Sequence, residues 1–347
     1  MSLASTEPTQ PGVALEAHRR ERSEHVEQLR SLVRSTSAAR LAAFDLSVGD
    51  RPDQLVRLRQ AAYASGLENL TPEDLLIVKA CAVQQATARP VVFSHGTSDA
   101  IWGQPTIGNR SALVEYVMPP GARGRSADVR RRRTGLATEC VEVGGLLVTP
   151  YERALVDHAR HASLESGISV CDNALHLGLT TRDALLAEHD KIPKGRRGRS
   201  MAQLAIHLAD GRAESPLESL SRTRMFQASL PMPDLQPRFE DREGFIGRTD
   251  FWWPSLGLVG ESDGDLKYEV PEGDPGQAAI DVLLQEKRRE QRLRRHPDVE
   301  DVARWGWDDA LPPGRLHGVL TAHRLHSVLD GGWPVPDGPL PKRAFVS

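Results

Sequence analysis

Three stretches of this chain open on the same polar punctuation and then turn apolar. They are Thr71-Pro72-Glu73-Asp74, Thr149-Pro150-Tyr151-Glu152 and Ser215-Pro216-Leu217-Glu218. A hydroxyl at the N-cap accepts from a first-turn backbone N–H. Proline is preorganised for the first helical position, and an acid meets the positive end of the helix. The first of these leads into LLIVKACAVQQATA, whose apolar spacing predicts a half-buried helix, and the second into RALVDHAR. SLESGISVCDNALHLG predicts a further helix that stops at Gly178, and TTRDALLAEHDKI one more, capped by Thr180 or Thr181. Between the first two helices the period shortens to that of strands. PVVF (90–93) runs into a Ser94-His95-Gly96 turn, SALVEYVM (111–118) alternates, and TECVEVGGLLV (138–148) is rich in β-branched residues. The mixture predicts an α+β region over about 70–205. The charged helical stretch at 25–65 suits a small helical or winged-helix head.

The stretch KIPKGRRGRSMAQLAIHLADGRAESP joins the halves through a basic loop, an apolar helix at 201–209 and an Asp210-Gly211 stop. A second unit follows: helix 216–229, strand 237–247 around a turn, strands 248–254 and 256–264, helix 277–295, strand 301–307 and a last helix at 315–328. The order α-β-β-β-α-β predicts a mixed sheet flanked by helices, so the fold class expected for the chain is α/β of the α+β type. The expected division is a disordered lead-in at 1–24, rich in Pro, Thr and Glu, one region at 25–205, a second at 206–330 and a tail at 331–347.

Composition narrows the class of protein. At 347 residues the chain is too long for one ordinary core, and 39% apolar with 26% charged residues is ordinary for a globular protein. There is no apolar run near 18 residues and no apolar core at the N-terminus, so neither a membrane helix nor a secretory signal is expected. Cys81, Cys140 and Cys171 are widely separated, which argues against a disulfide framework or a zinc site and for a reducing, cytoplasmic compartment. Residues 1–200 carry 26 Lys and Arg against 23 Asp and Glu, whereas residues 201–347 carry 18 against 24. The basic residues concentrate in Arg130-Arg131-Arg132-Arg133 and in a second run containing Arg196 and Arg197. Such runs are commonly solvated loops; two in one balanced chain lean towards a polyanion partner. Lys287 and Arg289, on the helix at 277–295, could reach phosphates or simply face solvent.

Hydrolysis of a phosphodiester with Mg²⁺ needs carboxylates converging on one cation. Asp250 lies in the middle strand, Glu261 eleven residues on in the following strand, and the Pro254-Ser255 turn between them allows an antiparallel hairpin. Asp263 follows Glu261 by two residues, on the same sheet face. Lys267 comes next, and Glu218 opens the preceding helix. Glu218 is explained equally well as a capping-box acid, and Asp263-Gly264 as a hairpin turn. Glu261 after LGLVG and Asp250 before Phe251-Trp252-Trp253 are harder to explain as surface residues, because a carboxylate in an apolar strand is costly unless paired or ligated.

The segments Ser-Pro-Leu-Glu218, Asp250-Phe-Trp-Trp-Pro and Leu-Val-Gly-Glu261-Ser-Asp263-Gly264 resemble the very-short-patch-repair-endonuclease-like branch of the PD-(D/E)XK superfamily over about 215–325. The resemblance implies a restriction-endonuclease-like C-terminal domain and a Mg²⁺ (or Mn²⁺) site in which Asp250, Glu261 and Asp263 hold the ion. It also implies Glu218 as a supporting acid and a DNA substrate, with RNA open as an alternative. Asp263 stands where the superfamily usually has lysine, and Lys267 would have to supply the positive group. Upstream, Arg89-Pro-Val-Val-Phe-Ser-His-Gly-Thr-Ser-Asp-Ala-Ile-Trp-Gly103 and Val148-Thr-Pro-Tyr-Glu-Arg-Ala-Leu-Val-Asp157 resemble antitoxins of abortive-infection type IV toxin–antitoxin systems. That likeness implies a winged-helix head, operator binding and a cognate toxin, and hence a non-catalytic DNA-binding regulator as the alternative function. His95, with no second ligand at metal spacing in the sequence, reads as a turn or core histidine. Trp252, Trp253, Trp305 and Trp307 read as core. No Gly-rich phosphate loop or nucleophile elbow is present.

Overall fold

The computed structural model describes residues 11–35, 56–59, 62–118, 127–132, 139–264, 275–312 and 314–345. Among them it is a mixed α/β protein, as expected, and it divides into two compact units. One comprises residues 1–162 and 177–206, the other residues 163–176 and 207–347. The helix over 163–176, which the sequence groups with the upstream region, therefore packs with the downstream unit.

The upstream unit begins with helix α1 (Pro11–Ser31). Residues 11–24, expected as disordered lead-in, are thus helical. Their polar character misleads because several side chains serve other elements. Arg22 donates to the carbonyls of Ala100 and Ile101 at 3.0 and 2.9 Å, and His25 pairs with Asp74 at 2.7 Å. Val26 and Leu29 are buried. Strands β1 (Val33–Ser35), β2 (Val56–Arg59) and β3 (Ala62–Ala64) form an antiparallel sheet in the order β1-β3-β2.

Helix α2 (Pro72–Gln85) starts at Thr71, whose hydroxyl accepts from the Asp74 N–H. Strand β4 (Val92–Phe93) then leads into α3 (His95–Trp102), so the expected Ser-His-Gly turn is the first turn of a helix. Strands β5 (Val114–Val117), β6 (Val129–Arg132), β7 (Val141–Val143) and β8 (Leu146–Val148) join β4 in a sheet ordered β6-β5-β4-β8-β7. Helices α4 (Tyr151–His161), α6 (Arg182–Asp190) and α7 (Arg199–Leu208) complete the unit, α7 running on into the downstream one.

Gly144, between β7 and β8, has φ +56°, and a Cβ built there would lie 2.5 Å from Val26 Cβ of α1. Gly144→Ala should therefore cost about 1–3 kcal/mol through left-handed strain and displacement of α1. The check is thermal unfolding together with protease sensitivity within 11–31; an unchanged α1 would contradict this packing.

In the downstream unit α5 (Leu164–His176) packs against α8 (Pro216–Gln227), whose N-cap Ser215 accepts from the Glu218 N–H. Strand β9 (Asp234–Leu235), the hairpin of β10 (Arg238–Asp241) and β11 (Gly244–Arg248), β12 (Phe251–Trp253) and β13 (Leu258–Ser262) follow. Then come α9 (Pro275–Arg294), β14 (Asp301–Trp305), the one-turn α10 (Trp307–Ala310) and α11 (Leu316–Ala322). The main sheet has the order β14-β13-β12-β9. β12 runs antiparallel to β13 and β9, and β13 parallel to β14, as a helical crossover between β13 and β14 requires. Phe251, Trp253, Leu258, Ala303 and Trp305 are buried within it. The stretch expected as a tail folds back, with the rings of Trp333 and Phe345 against Phe226 at 5.7 and 5.6 Å.

Candidate functional site

The β12/β13 register sets Phe251 opposite Gly260 and Trp252 opposite Val259. Continued by one residue, it sets Asp250 opposite Glu261, the spacing at which cross-strand side chains meet. Asp250 Oδ2 accepts from both the backbone N–H and the hydroxyl of Ser262, at 2.8 and 2.7 Å. Glu218, from α8, is buried and accepts from the Glu214 N–H and from Gln236 at 3.0 and 3.1 Å. Burial pushes the Glu218 carboxyl up, and the Asp250 charge pushes it further. Glu261 is likewise raised by burial, with Asp250 adding and Arg289 and Arg304 opposing. Three acids therefore share one electrostatic environment, with Asp250 acting on both glutamates.

Glu261 is clamped. Arg289 Nη2 donates to its Oε1 at 2.8 Å, and Arg304 Nη2 lies 2.7 Å from its Oε2. Arg304 stands directly across from Glu261 in the parallel β13/β14 register. Among the described residues Arg304 Nε is a buried donor without a hydrogen-bond acceptor, while Nη2 meets Glu261 as an ion pair. Arg304 also reaches Glu286, Glu290 and the exposed Asp263, each at 3.8–3.9 Å. Arg304 was not among the residues expected from the sequence, because only the parallel β13/β14 pairing brings it to Glu261.

The remaining candidate residues scatter. Lys267 and Arg133 lie outside the described residues. Arg130 and Arg132 both pair with buried Glu115, and Arg131 Nε donates to the Tyr116 hydroxyl at 2.7 Å, so these arginines sit in edge strand β6 rather than in a loop. Arg196, Arg197 and Lys287 are exposed. Arg289 serves Glu261 and Glu286.

A second group forms where the sequence suggested none. His95, Asp157 and His161 offer donor atoms that all lie within 4.8 Å of one another, and among the described residues this is the group of three or more that closes so tightly. The acids of the downstream unit do not close to that distance as a trio. Burial of His95 pushes its imidazole down to about 3, and partial desolvation of the exposed His161 pushes that ring down to about 4; Arg132 and Arg160 help at both and Asp157 opposes. The signal in the sequence was the four-residue spacing of Asp157 and His161, which puts both on one helix face.

Among known proteins, the chain is similar to uncharacterized proteins of two Mycobacterium tuberculosis strains, CDC 1551 / Oshkosh and ATCC 25618 / H37Rv. Each is 28% identical over 278 residues, covering 78% of this chain and 92% of the relative. No family model matches the chain, and no solved structure matches it. No described helix is long and apolar enough to cross a membrane.

Proposed function

We propose that this is a DNA-binding protein whose downstream unit is a PD-(D/E)XK-type endonuclease-like domain that cuts or nicks a DNA phosphodiester with Mg²⁺. The observation that carries this reading is the opposition of Asp250 and Glu261 across β12 and β13, with Glu218 in electrostatic contact with Asp250. The donor set is all-carboxylate, which suits a hard cation that binds through oxygen. Among the described residues none donates a hydrogen bond to Asp250 Oδ1 or Glu218 Oε1, whereas a cation at Glu261 has to displace Arg289 or Arg304. When bound, Mg²⁺ would polarise the scissile phosphate and activate a hydrolytic water. Asp250 and Glu261 would hold the ion, Glu218 would support it, and Asp263 lies close enough to Arg304 to be drawn in. The Arg304 guanidinium beside Glu261 would offset negative charge on a phosphate oxygen, the role expected of Lys267. Exposed Arg196, Arg197 and Lys287 would add affinity for the DNA backbone that depends on salt and not on sequence.

The test is nicking of supercoiled plasmid with Mg²⁺ and Mn²⁺. Asp250→Ala and Glu261→Ala are each expected to reduce nicking to background while the far-ultraviolet circular dichroism stays unchanged. Nicking that survives in both variants rejects the assignment.

The doubly clamped Glu261 favours a second reading, a non-catalytic regulator resembling type IV antitoxins and paired with a cognate toxin. The β1-β3-β2 sheet beside α1 is compatible with the winged-helix head that such a regulator uses. Salt-sensitive, metal-independent operator binding without cleavage at any Mg²⁺ or Mn²⁺ concentration would select it.

A further inference from the structure

The upstream unit holds a cluster that the nuclease reading does not use. Strands β4 and β8 are parallel neighbours, with Phe93 beside Val148. Both run directly into helices: Ser94-His95 opens α3 immediately after β4, and α4 begins three residues after β8. The carboxyl ends of adjacent parallel strands are where open α/β sheets present ligand sites. Here that edge brings His95 to Asp157 and His161, which share one face of α4.

We propose that His95, Asp157 and His161 form a binding site for a transition-metal ion of the Zn²⁺ class. Two imidazoles and one carboxylate are the ligand set of such an ion, whereas Mg²⁺ prefers oxygen alone. Their donor atoms already lie within 4.8 Å of one another, and the two rings stand 4.9 Å apart. His95 Nδ1 lies 3.1 Å from the Ser94 hydroxyl, which orients the ring, and among the described residues no hydrogen bond to its other nitrogen is seen. His95 has φ +52°, a left-handed backbone that costs a non-glycine residue about 1–2 kcal/mol, strain of the kind that clusters at ligand sites. Asp157 is buried; its Oδ2 accepts from Arg153 at 2.7 Å and its Oδ1 from Arg160 at 2.8 Å. Each carboxylate oxygen has two lone pairs, so these bonds orient the group and still leave it able to ligate.

His161 is exposed, which gives an ion an entry path and an open coordination position. Arg132 and Arg160 act on both histidines and Arg197 on His161, a positive surround that would cost a bare dication dearly. The open position therefore calls for an anionic ligand, hydroxide or a phosphate oxygen, and the arginines would hold it there.

The experiment is titration of the full chain with Co²⁺ in a phosphate-free buffer at neutral pH, read by visible absorption and calorimetry. One Co²⁺ per chain with a strong ligand-field band, displaced by Zn²⁺, is expected. His161→Ala, a surface change, should weaken binding at least about 10-fold. His95→Asn, which tolerates the left-handed backbone, should do the same, with folding checked by circular dichroism. Glu261→Gln should leave the band unchanged, so the result stands apart from the outcome of the nicking assay. A wild type without the band, or a band undiminished in both histidine variants, would overturn the site.

Discussion

Arg222→Ala is expected to destabilise the downstream unit by about 3–5 kcal/mol, the cost of leaving a buried charge without its partner. Asp172 of α5 and Arg222 of α8 are 1% and 3% exposed, and their side chains meet at 2.9 Å. Asp172 also accepts from the Asp210 N–H at 2.6 Å and the Ser219 hydroxyl at 2.7 Å, and Arg222 donates onward to the Leu208 carbonyl at 2.6 Å. One carboxylate therefore ties α5, α8 and the segment between α7 and α8 together. Burial raises the Asp172 carboxyl and Arg222 pulls it back. With the arginine gone, the folded protein keeps that proton to a higher pH than the unfolded chain, where an Asp titrates near about 3.9. Between those two values the folded state binds more protons, so stability rises as pH falls. Urea unfolding at pH 7 and pH 5 should show the deficit of the variant shrinking on acidification. Asp172→Asn in the same background should recover part of it at pH 7. A loss below about 1 kcal/mol that does not change with pH would refute the account.

That ion pair marks the limit of what the chain discloses locally. Thr71 and Ser215 announced their helices because capping acts within four residues, and the order of elements from Ser215 onward followed from period changes and turns. Asp250 and Glu261 were legible as a pair because a short turn separates them and two strands of known period fix which residues oppose. Arg304 was not legible, since it reaches Glu261 only through the parallel β13/β14 pairing that a long crossover creates. His95 and His161 were missed for the same reason: the parallel pairing of β4 with β8, remote in sequence, brings them together. The arginines of β6 show the converse: Glu115 and Tyr116 on the neighbouring strand engage Arg130, Arg131 and Arg132, partners that the run itself does not announce. Charge runs report composition, and only the partner strand says whether the charge is spent.

Phe251→Ala should cost the downstream unit about 3–5 kcal/mol, and Phe251→Leu less than about 1.5 kcal/mol. Phe251 is fully buried, its ring 5.2 Å from that of Trp305 and 6.3 Å from that of Trp253. Opposite it Gly260 leaves no room to spare: an added Cβ there would fall 2.6 Å from the Trp305 ring. Trp305 is held in turn by its indole N–H, which donates to the Ser221 hydroxyl of α8 at 2.8 Å. The phenyl ring thus fills the space between β12, β14 and α8, so truncation leaves a cavity that the pinned indole cannot collapse to fill. Leucine keeps most of that volume. Asp250 and Glu261 are the next residues along the two strands, so the same packing holds the register that opposes them. Denaturant midpoints of the two variants, measured side by side, decide the matter. Equal losses for alanine and leucine would mean that the site does not rest on this ring.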